Sequence, residues 1–335
     1  MKRKGIEPNE VRKYFLITGA FLIFMIGCLL FFLSWLQKDV EINSQKNVAV
    51  NVERQSYHLD SIIDIQFSYL FGIAAYMGER KEIFSRENKR LIQSIVKEQD
   101  LDLIALIDKD GNTFYSNGAR KSVKARKYFK EAMEGKQVMS SPVESMVDGK
   151  TKVILAVPIY KDGGVTGVLE ASYNVGALNQ MLFDDIYDGV GFSMIIDSSG
   201  RIISCDSGKA YRKISISDNV YDFYVKNGEV SEKDMTEAKS NIQNQKAGIL
   251  VLKNKNGVSY LAYDTLGMND WMLCYVVPQS KAQESYQFVQ DRQVMLVFVI
   301  GGGMIAFLLI ILYRESQKQK HMKELANIDG LTQLH

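Results

Sequence analysis

The sequence contains few prolines, cysteines and histidines, and its positive and negative charges nearly cancel. Its 335 residues include 4 Pro, 3 Cys and 3 His, and the formal net charge is +2. A chain without an overall basic field gives no reason to expect nucleic acid as a partner. The hydrophobic share of 46% is that of an ordered protein, and the length predicts more than one folded unit.

Charged residues are missing altogether from two stretches, residues 15–36 and 293–313. Each has about 20 residues, which as a helix cross a hydrocarbon core of about 30 Å. The first stretch is too long for the hydrophobic part of a signal peptide, and no small-residue cleavage site follows it. The sequence therefore predicts an uncleaved signal anchor and a second transmembrane helix.

Basic residues are concentrated on one side of these two predicted spans. The positive-inside rule then places residues 1–14 and 314–335 in the cytoplasm and residues 37–292 outside the cell. The basic residues concerned are Lys2, Arg3, Lys4, Arg12, Lys13, Arg314, Lys318, Lys320 and Lys323.

Histidine is scarcest in the predicted outer segment, where His58 is the only one. A hydrolytic site needs a nucleophile, a base and a group that orients the base. The sequence between residues 37 and 292 offers no such set, so we do not expect an extracellular enzyme. We also predict no metal-binding residues and no cofactor in this chain.

Residues 37–77 carry a helical pattern without proline, which predicts a long helix leaving the membrane. A shorter amphipathic helix follows, with Ile83, Leu91, Ile95 and Val96 on its apolar side. The stripe of the long helix can pack against sheets of its own chain or form the seam of a homodimer, and both interpretations are open. Its apolar residues are Val52, Leu59, Ile63, Leu70, Ile73 and Met77.

A strand–turn–strand pattern then occurs twice. Asp108-x-x-Gly111 and Asp197-x-x-Gly200 each join an apolar strand to a second one, which is typical of a hairpin. Together with the segments that follow, the pattern predicts two α+β units in tandem, at residues 101–183 and 190–278. Helices on one face of an antiparallel sheet leave a gap suited to a small molecule. Helices are predicted at 125–134, 218–226 and 231–245, and further strands at 152–160, 165–173, 260–266 and 271–277.

The outer segment resembles the double Cache family of extracytoplasmic sensors. The resemblance covers residues 37–280 and rests on the long helix, on two PAS-like units between two spans, and on three loose motifs. It implies a receptor in the bacterial plasma membrane, a small-molecule ligand in the membrane-distal unit, and a strand order of 2-1-5-4-3 in each sheet. The motifs are Ser122 to Lys136, Ala156 to Ile159 and Gly163 to Leu169.

The amino-acid-binding members of that family have an Arg followed by two aromatic residues. Arg126, Tyr128 and Phe129 match this part. The resemblance implies that Arg126 holds a ligand carboxylate through its planar fork, and a surface salt bridge is the alternative role. The two aromatic side chains can contact a ligand or pack in the core.

Two positions depart from the amino-acid-binding pattern. Ser122 stands where the family has a Tyr, and Ser172 stands where it has an Asp on the last strand. A ligand ammonium group wants a carboxylate, which Ser172 cannot supply. Glu170 can, because alternation along a strand puts it on the same face as Ser172. The candidate ligand-binding residues are therefore Arg126, Tyr128, Phe129, Glu170 and Ser172.

The same strand order bears on the cysteines. Cys28 lies in the first predicted span, whereas Cys205 and Cys274 fall on two strands that flank a common one. Such strands are about 10 Å apart, which is beyond the reach of a disulfide. We predict free, buried thiols, with a bridge as the alternative outside the cell.

Residues 324–334 resemble the opening of a GGDEF diguanylate cyclase domain, whose pattern is Asp-x-Leu-Thr-x-Leu. Members of that family join two GTP molecules, with Mg²⁺, into cyclic di-GMP. The catalytic loop and metal ligands would lie beyond His335, so the chain is expected to be the sensor part of such a cyclase without catalytic residues of its own. The sensor part of a histidine kinase or of a chemoreceptor is the alternative, although the sequence after His321 does not match a kinase phosphoacceptor.

Overall fold

The computed structural model describes residues 8–80, 82–98, 102–180, 186–205, 214, 218–255 and 257–331. The chain divides into two compact units, one of Ser44–Ala282 and one of Met1–Asn43 with Gln283–His335. The predicted tail residues Lys2, Arg3 and Lys4, and the Thr332 to Leu334 part of the cyclase-like pattern, lie outside the described residues.

Eight α-helices, two short 3-10 helices and eleven strands are present in the described residues. The helices are α1 Pro8–Gly78, α2 Arg86–Glu98, α3 Lys127–Met133, α4 Val175–Gln180, α5 Val220–Lys226, α6 Glu232–Gln243, α7 Gln279–Ala282 and α8 Gln287–Leu331. The strands are β1 Leu103–Asp108, β2 Thr113–Tyr115, β3 Val138–Met139, β4 Val143–Glu144, β5 Thr151–Lys161, β6 Gly164–Asn174, β7 Phe192–Ile196, β8 Ile202–Cys205, β9 Gly248–Asn254, β10 Gly257–Thr265 and β11 Met272–Pro278.

The two charge-free stretches lie in α1 and α8. The helix segments Thr18–Gly78 and Arg292–Lys318 contain windows with mean hydropathies of 2.4 and 2.9, and no part of either window is buried by protein. Apolar helices of this length that no protein covers are suited to a hydrocarbon environment, where a helix satisfies its own backbone. In this unit the rings of Phe21 and Phe307 lie 6.5 Å apart.

Two antiparallel sheets form the body of Ser44–Ala282. The first has the order β2-β1-β6-β5-β3, with β4 also beside β5, and the second has the order β8-β7-β11-β10-β9. If β3 and β4 are counted as one position, both sheets follow the predicted order 2-1-5-4-3. The last strand of each unit therefore lies next to its first, at the centre of the sheet.

Both predicted hairpins are present, and the same device makes each turn. The carboxylates of Asp108 and Asp197 accept backbone N–H groups two and four residues further on, at distances of 2.9–3.1 Å. Gly111 and Gly200 have φ angles of 82° and 84°, a region that favours glycine. The Asp-x-x-Gly signals thus mark turns, as predicted.

One apolar face of α1 packs against both sheets. Its buried side chains belong to a single cluster that includes Ile104 and Leu155 of the first sheet and Ile195 and Tyr260 of the second. The stripe therefore packs against the chain's own sheets, which is the first of the two interpretations, and the homodimer stays a prediction. The α1 members of the cluster are Val48, Val52, Leu59, Ile63, Phe67, Leu70, Ala74 and Met77.

The opposite face of each sheet is covered by the helices of its own unit. In the first sheet α3 contributes Tyr128, Phe129 and Ala132 to a separate buried cluster. In the second, α5 and α6 do the same. The predicted start of α6 is confirmed, because the Ser231 hydroxyl accepts the Asp234 backbone N–H at 3.1 Å.

The prediction for the outer cysteines is confirmed in its main point. Cys205 and Cys274 lie opposite Met194 from the two neighbouring strands, and neither is in a disulfide. Cys274 is buried, while Cys205 is only partly so.

A pair of glycine substitutions tests the packing of the first unit. A Cβ at Gly167 would collide with the Ile107 carbonyl oxygen and the Ile83 side chain, whereas a Cβ at Gly72 meets nothing within 4 Å. Gly167→Ala should lower the free energy of unfolding of the full chain in detergent by about 1–3 kcal/mol. Gly72→Ala, in an exposed part of α1, should leave it unchanged or raise it by up to about 1 kcal/mol. Equal effects of the two changes would contradict the close approach at Gly167.

Candidate functional site

A small, partly open cavity lies between the first sheet and the segment that leads into α3. Its volume is about 20 Å³, which is room for roughly one water molecule. We call it the inner cavity, and its polar lining includes Tyr115, Arg126, Tyr128, Lys152, Glu170 and Ser172.

The pairing of β6 explains why a carboxyl group fits here. Ala105 of β1 and Ala156 of β5 lie opposite Glu170 on its two sides, and their short side chains leave space above the central strand. Ser172 is two residues further along β6 and lines the same cavity. The shared face that alternation predicts for Glu170 and Ser172 is thus present.

Glu170 is a buried acid with an incomplete hydrogen-bond shell. Only 2% of the residue is exposed, and its Oε2 atom has no hydrogen-bond partner among the described residues. Burial raises the pKa of Glu170 to about 7, although hydrogen bonds from Tyr128 and Tyr115 and the charge of Arg126 act in the opposite direction. Near neutral pH this carboxyl group therefore exists in both protonation states.

Arg126 connects the two sides of the cavity. It is the N-cap residue of α3 in an extended conformation, and its Nη2 donates to the Glu144 backbone carbonyl at 2.9 Å. This contact holds β4 close to the start of α3 and helps to close the cavity.

Lys152 places a second cation at the cavity. Its side chain is 1% exposed, and its Nζ lies 2.8 Å from an Asp148 carboxylate oxygen and 3.0 Å from an Asp102 oxygen. The hydrogen bond from Lys152 lowers the pKa of Asp148 to about 2. A buried ammonium with two carboxylates is charge-compensated, so Lys152 can remain protonated there.

Four of the five residues singled out in the sequence line the inner cavity: Arg126, Tyr128, Glu170 and Ser172. Phe129 does not, and packs with Val168 in the cluster beneath α3. Neighbouring helical residues point about 100° apart, so a Tyr-Phe pair cannot place both rings in one small cavity.

Tyr115 and Lys152 were missed. The register of the hairpin brings Tyr115 to the inner cavity, because Tyr115 pairs with Ala105 and Ala105 also pairs with Glu170. Only the pairing reveals this. Lys152 is the first residue of a predicted strand, where a lysine is usually solvated. The one sequence signal for its burial is Asp148, an acidic residue four positions earlier with which it pairs.

Comparison with known proteins decides the family. A sequence model of the Cache domain matches residues 33–286. The chain belongs to the Cache domain family. Comparison with curated proteins gives no match.

Solved Cache structures share this fold at low sequence identity. The ligand-binding domain of the Pseudomonas fluorescens chemoreceptor CtaA, solved with L-isoleucine, has a TM-score of 0.57 and 12% identity, covering 74% of this chain and 97% of CtaA. The ligand-binding domain of the Pseudomonas aeruginosa chemoreceptor PctB, solved with L-Arg, has a TM-score of 0.53 and 14% identity. The match covers 71% of this chain and 96% of PctB. The extracellular domain of the candidate histidine kinase mmHK1S-Z2 has a TM-score of 0.54 and 15% identity. The match covers 71% of this chain and 98% of the kinase domain.

The inner cavity lies in the first of the two Cache units. It combines one acid of adjustable charge, Glu170, with the cation Arg126, whereas the Lys152 ammonium is already paired with Asp102 and Asp148. Such a set can hold a ligand that carries both a hydrogen-bond donor and an acid group. Among the residues described, no group of three or more His, Cys, Asp or Glu is placed to bind a metal ion.

The raised pKa of Glu170 predicts a specific pH dependence of stability. Between about pH 5 and pH 7 the folded chain keeps a proton that the unfolded chain has released, so the free energy of unfolding falls as the pH rises. Glu170→Gln removes this titration. The stability of the variant relative to the natural chain should therefore increase by about 2–3 kcal/mol across that range and then level off.

Chemical denaturation of both proteins in the same detergent, at steps between about pH 5 and pH 8, measures this difference. If the difference between the two proteins stays constant over the range, Glu170 does not titrate there.

Proposed function

We propose that the chain is the sensor part of a transmembrane receptor. It binds a small molecule outside the cell in the inner cavity of the first Cache unit, and it controls a diguanylate cyclase domain in the cytoplasm. The two apolar helices and membership of the Cache family support the receptor assignment. The excess of basic residues next to the spans supports an outer sensor with both termini inside.

The unpartnered Oε2 of Glu170 carries the ligand-binding part of this proposal. A buried polar atom without a hydrogen bond costs about 1–3 kcal/mol, and a ligand ammonium or hydroxyl group that donates to it removes that cost. Arg126 donates to a backbone carbonyl and can turn to a ligand carboxylate instead. This combination favours amino acids and related amines with an acid group. L-Isoleucine in CtaA and L-Arg in PctB support the same class.

The small volume of the cavity supports a sensing mechanism. A cavity of about 20 Å³ cannot hold an amino acid, so binding requires the segment that contains Val143–Glu144 to move away from Arg126. A ligand that binds only this open state shifts the equilibrium toward it by its difference in affinity for the two states.

The cyclase assignment rests on residues 324–334 and their likeness to the start of a GGDEF domain. A histidine kinase or chemoreceptor output is the second candidate, because solved neighbours include sensor domains of both classes. In the kinase case His321 would be the histidine nearest the membrane on the cytoplasmic side.

The ligand-binding part can be tested by screening the full chain in lipid nanodiscs against amino acids, amines and carboxylates by thermal shift. A ligand of the proposed class should bind, and Arg126→Ala or Glu170→Gln should each weaken it at least about tenfold, which corresponds to about 1.4 kcal/mol. Lys130→Ala, on the exposed side of α3, is the matched control and should leave the affinity unchanged. Binding that survives both cavity variants would exclude the inner cavity as the site.

The output is tested separately with the product of the complete reading frame. A Gly-Gly-Asp/Glu-Glu-Phe loop encoded beyond His335, and conversion of GTP to cyclic di-GMP at a rate that the ligand changes, are the expected results. Incorporation of phosphate from ATP at His321 would instead favour the kinase.

A further inference from the structure

A second and larger cavity lies on the first Cache unit. Its volume is about 410 Å³, within the range of about 300–1,000 Å³ typical of small-molecule sites. It shares no lining residue with the inner cavity. We call it the outer cavity, and its lining includes Phe84, Lys89, Phe114, Arg120, Lys121 and Ser122. Ser122, which stands where amino-acid-binding members have a Tyr, therefore faces this cavity and not the inner one.

The outer cavity is lined by charge of one sign. Lys89, Arg120 and Lys121 contribute three cations, and no acidic residue lines it. Within the described part of the chain, none of the three is in an ion pair. The nearby Asp108 is already engaged, since its carboxylate accepts the Asn112 side-chain amide and two backbone N–H groups. A concave surface lined by one sign of charge concentrates ions of the other sign.

The Lys89 side chain and the Lys121 backbone are also held in place. The Lys89 ammonium lies 5.7 Å from the ring centre of Phe84 and 5.2 Å from that of Phe114, distances at which a cation is attracted to the ring faces. The backbone N–H and C=O of Lys121 are both bonded to the Thr113 hydroxyl, at 3.0 and 2.9 Å. Neither arrangement neutralises a charge, and the Lys89 ammonium in particular stays available to an anion.

From these observations we infer that the outer cavity is a second binding site, one that takes a small organic anion. The acid group, a carboxylate or a phosphate, contacts Lys89, Arg120 and Lys121, and the remainder of the molecule lies against Phe84 and Phe114. This site does not depend on the ligand of the inner cavity, because the two cavities have different linings and different charge.

Calorimetric titration of the full chain in nanodiscs of phosphatidylcholine tests this inference. Citrate represents the carboxylates and glucose 6-phosphate the phosphates. Glucose, which lacks the phosphate group, is the uncharged control. At least one of the two anions should bind with a saturable heat that declines at higher salt, and glucose should give none. Which anion binds distinguishes a carboxylate site from a phosphate site.

Two triple variants with the same change in net charge assign the binding to the cavity. Lys89→Gln with Arg120→Gln and Lys121→Gln should weaken the anion at least about tenfold. The control variant should remain within about twofold of the natural chain. It changes three lysines that line neither cavity, Lys109→Gln, Lys130→Gln and Lys246→Gln.

Because three changes at once can disturb folding, Arg120→Gln alone is a second variant and should also weaken binding measurably. The inference is overturned if neither anion binds saturably. It is equally overturned if the cavity and control variants lose affinity to the same extent, since the heat then reports general surface charge.

Discussion

The shared apolar face of α1 is the interaction on which the fold of residues 44–282 depends. Each sheet turns one face toward its own helices and the other toward α1, so that a single helix completes two cores. Two hydrogen bonds fix its register: the Gly267 N–H donates to the Asp60 carboxylate, and the Tyr173 hydroxyl donates to the Gln66 side-chain oxygen. A sliding movement of α1 along its axis would break both, which ties the two Cache units together mechanically.

The first unit departs from ordinary packing at Glu170. Neighbouring Ala105 and Ala156 would suit an aliphatic residue there, and a carboxyl group with an unpartnered oxygen occupies the place instead. Departures of this kind are expected where function takes precedence over stability. Consecutive residues of β2 line the two cavities, Phe114 the outer one and Tyr115 the inner one, because side chains alternate along a strand.

The sequence predicted the elements that have strong local signals. The Asp-x-x-Gly turns and the start of α6 near Ser231 are examples, since the side chains that make them lie within four residues of the groups they bond. Strand β9, at Gly248–Asn254, and the two-residue strands β3 and β4 were missed, because runs so short or so weakly alternating have no periodicity to detect.

At the two cavities, prediction from the sequence was incomplete for a different reason. The helical period identified the buried stripe of α1, but it carries no information on whether a sheet or a second copy covers it. Tyr115, Lys152 and Lys89 reach their cavities through pairing and packing between distant segments, which one sequence does not reveal. The two thiols opposite Met194 have a last consequence. With a whole strand between them they cannot join, so the folding of this domain does not depend on a disulfide between Cys205 and Cys274.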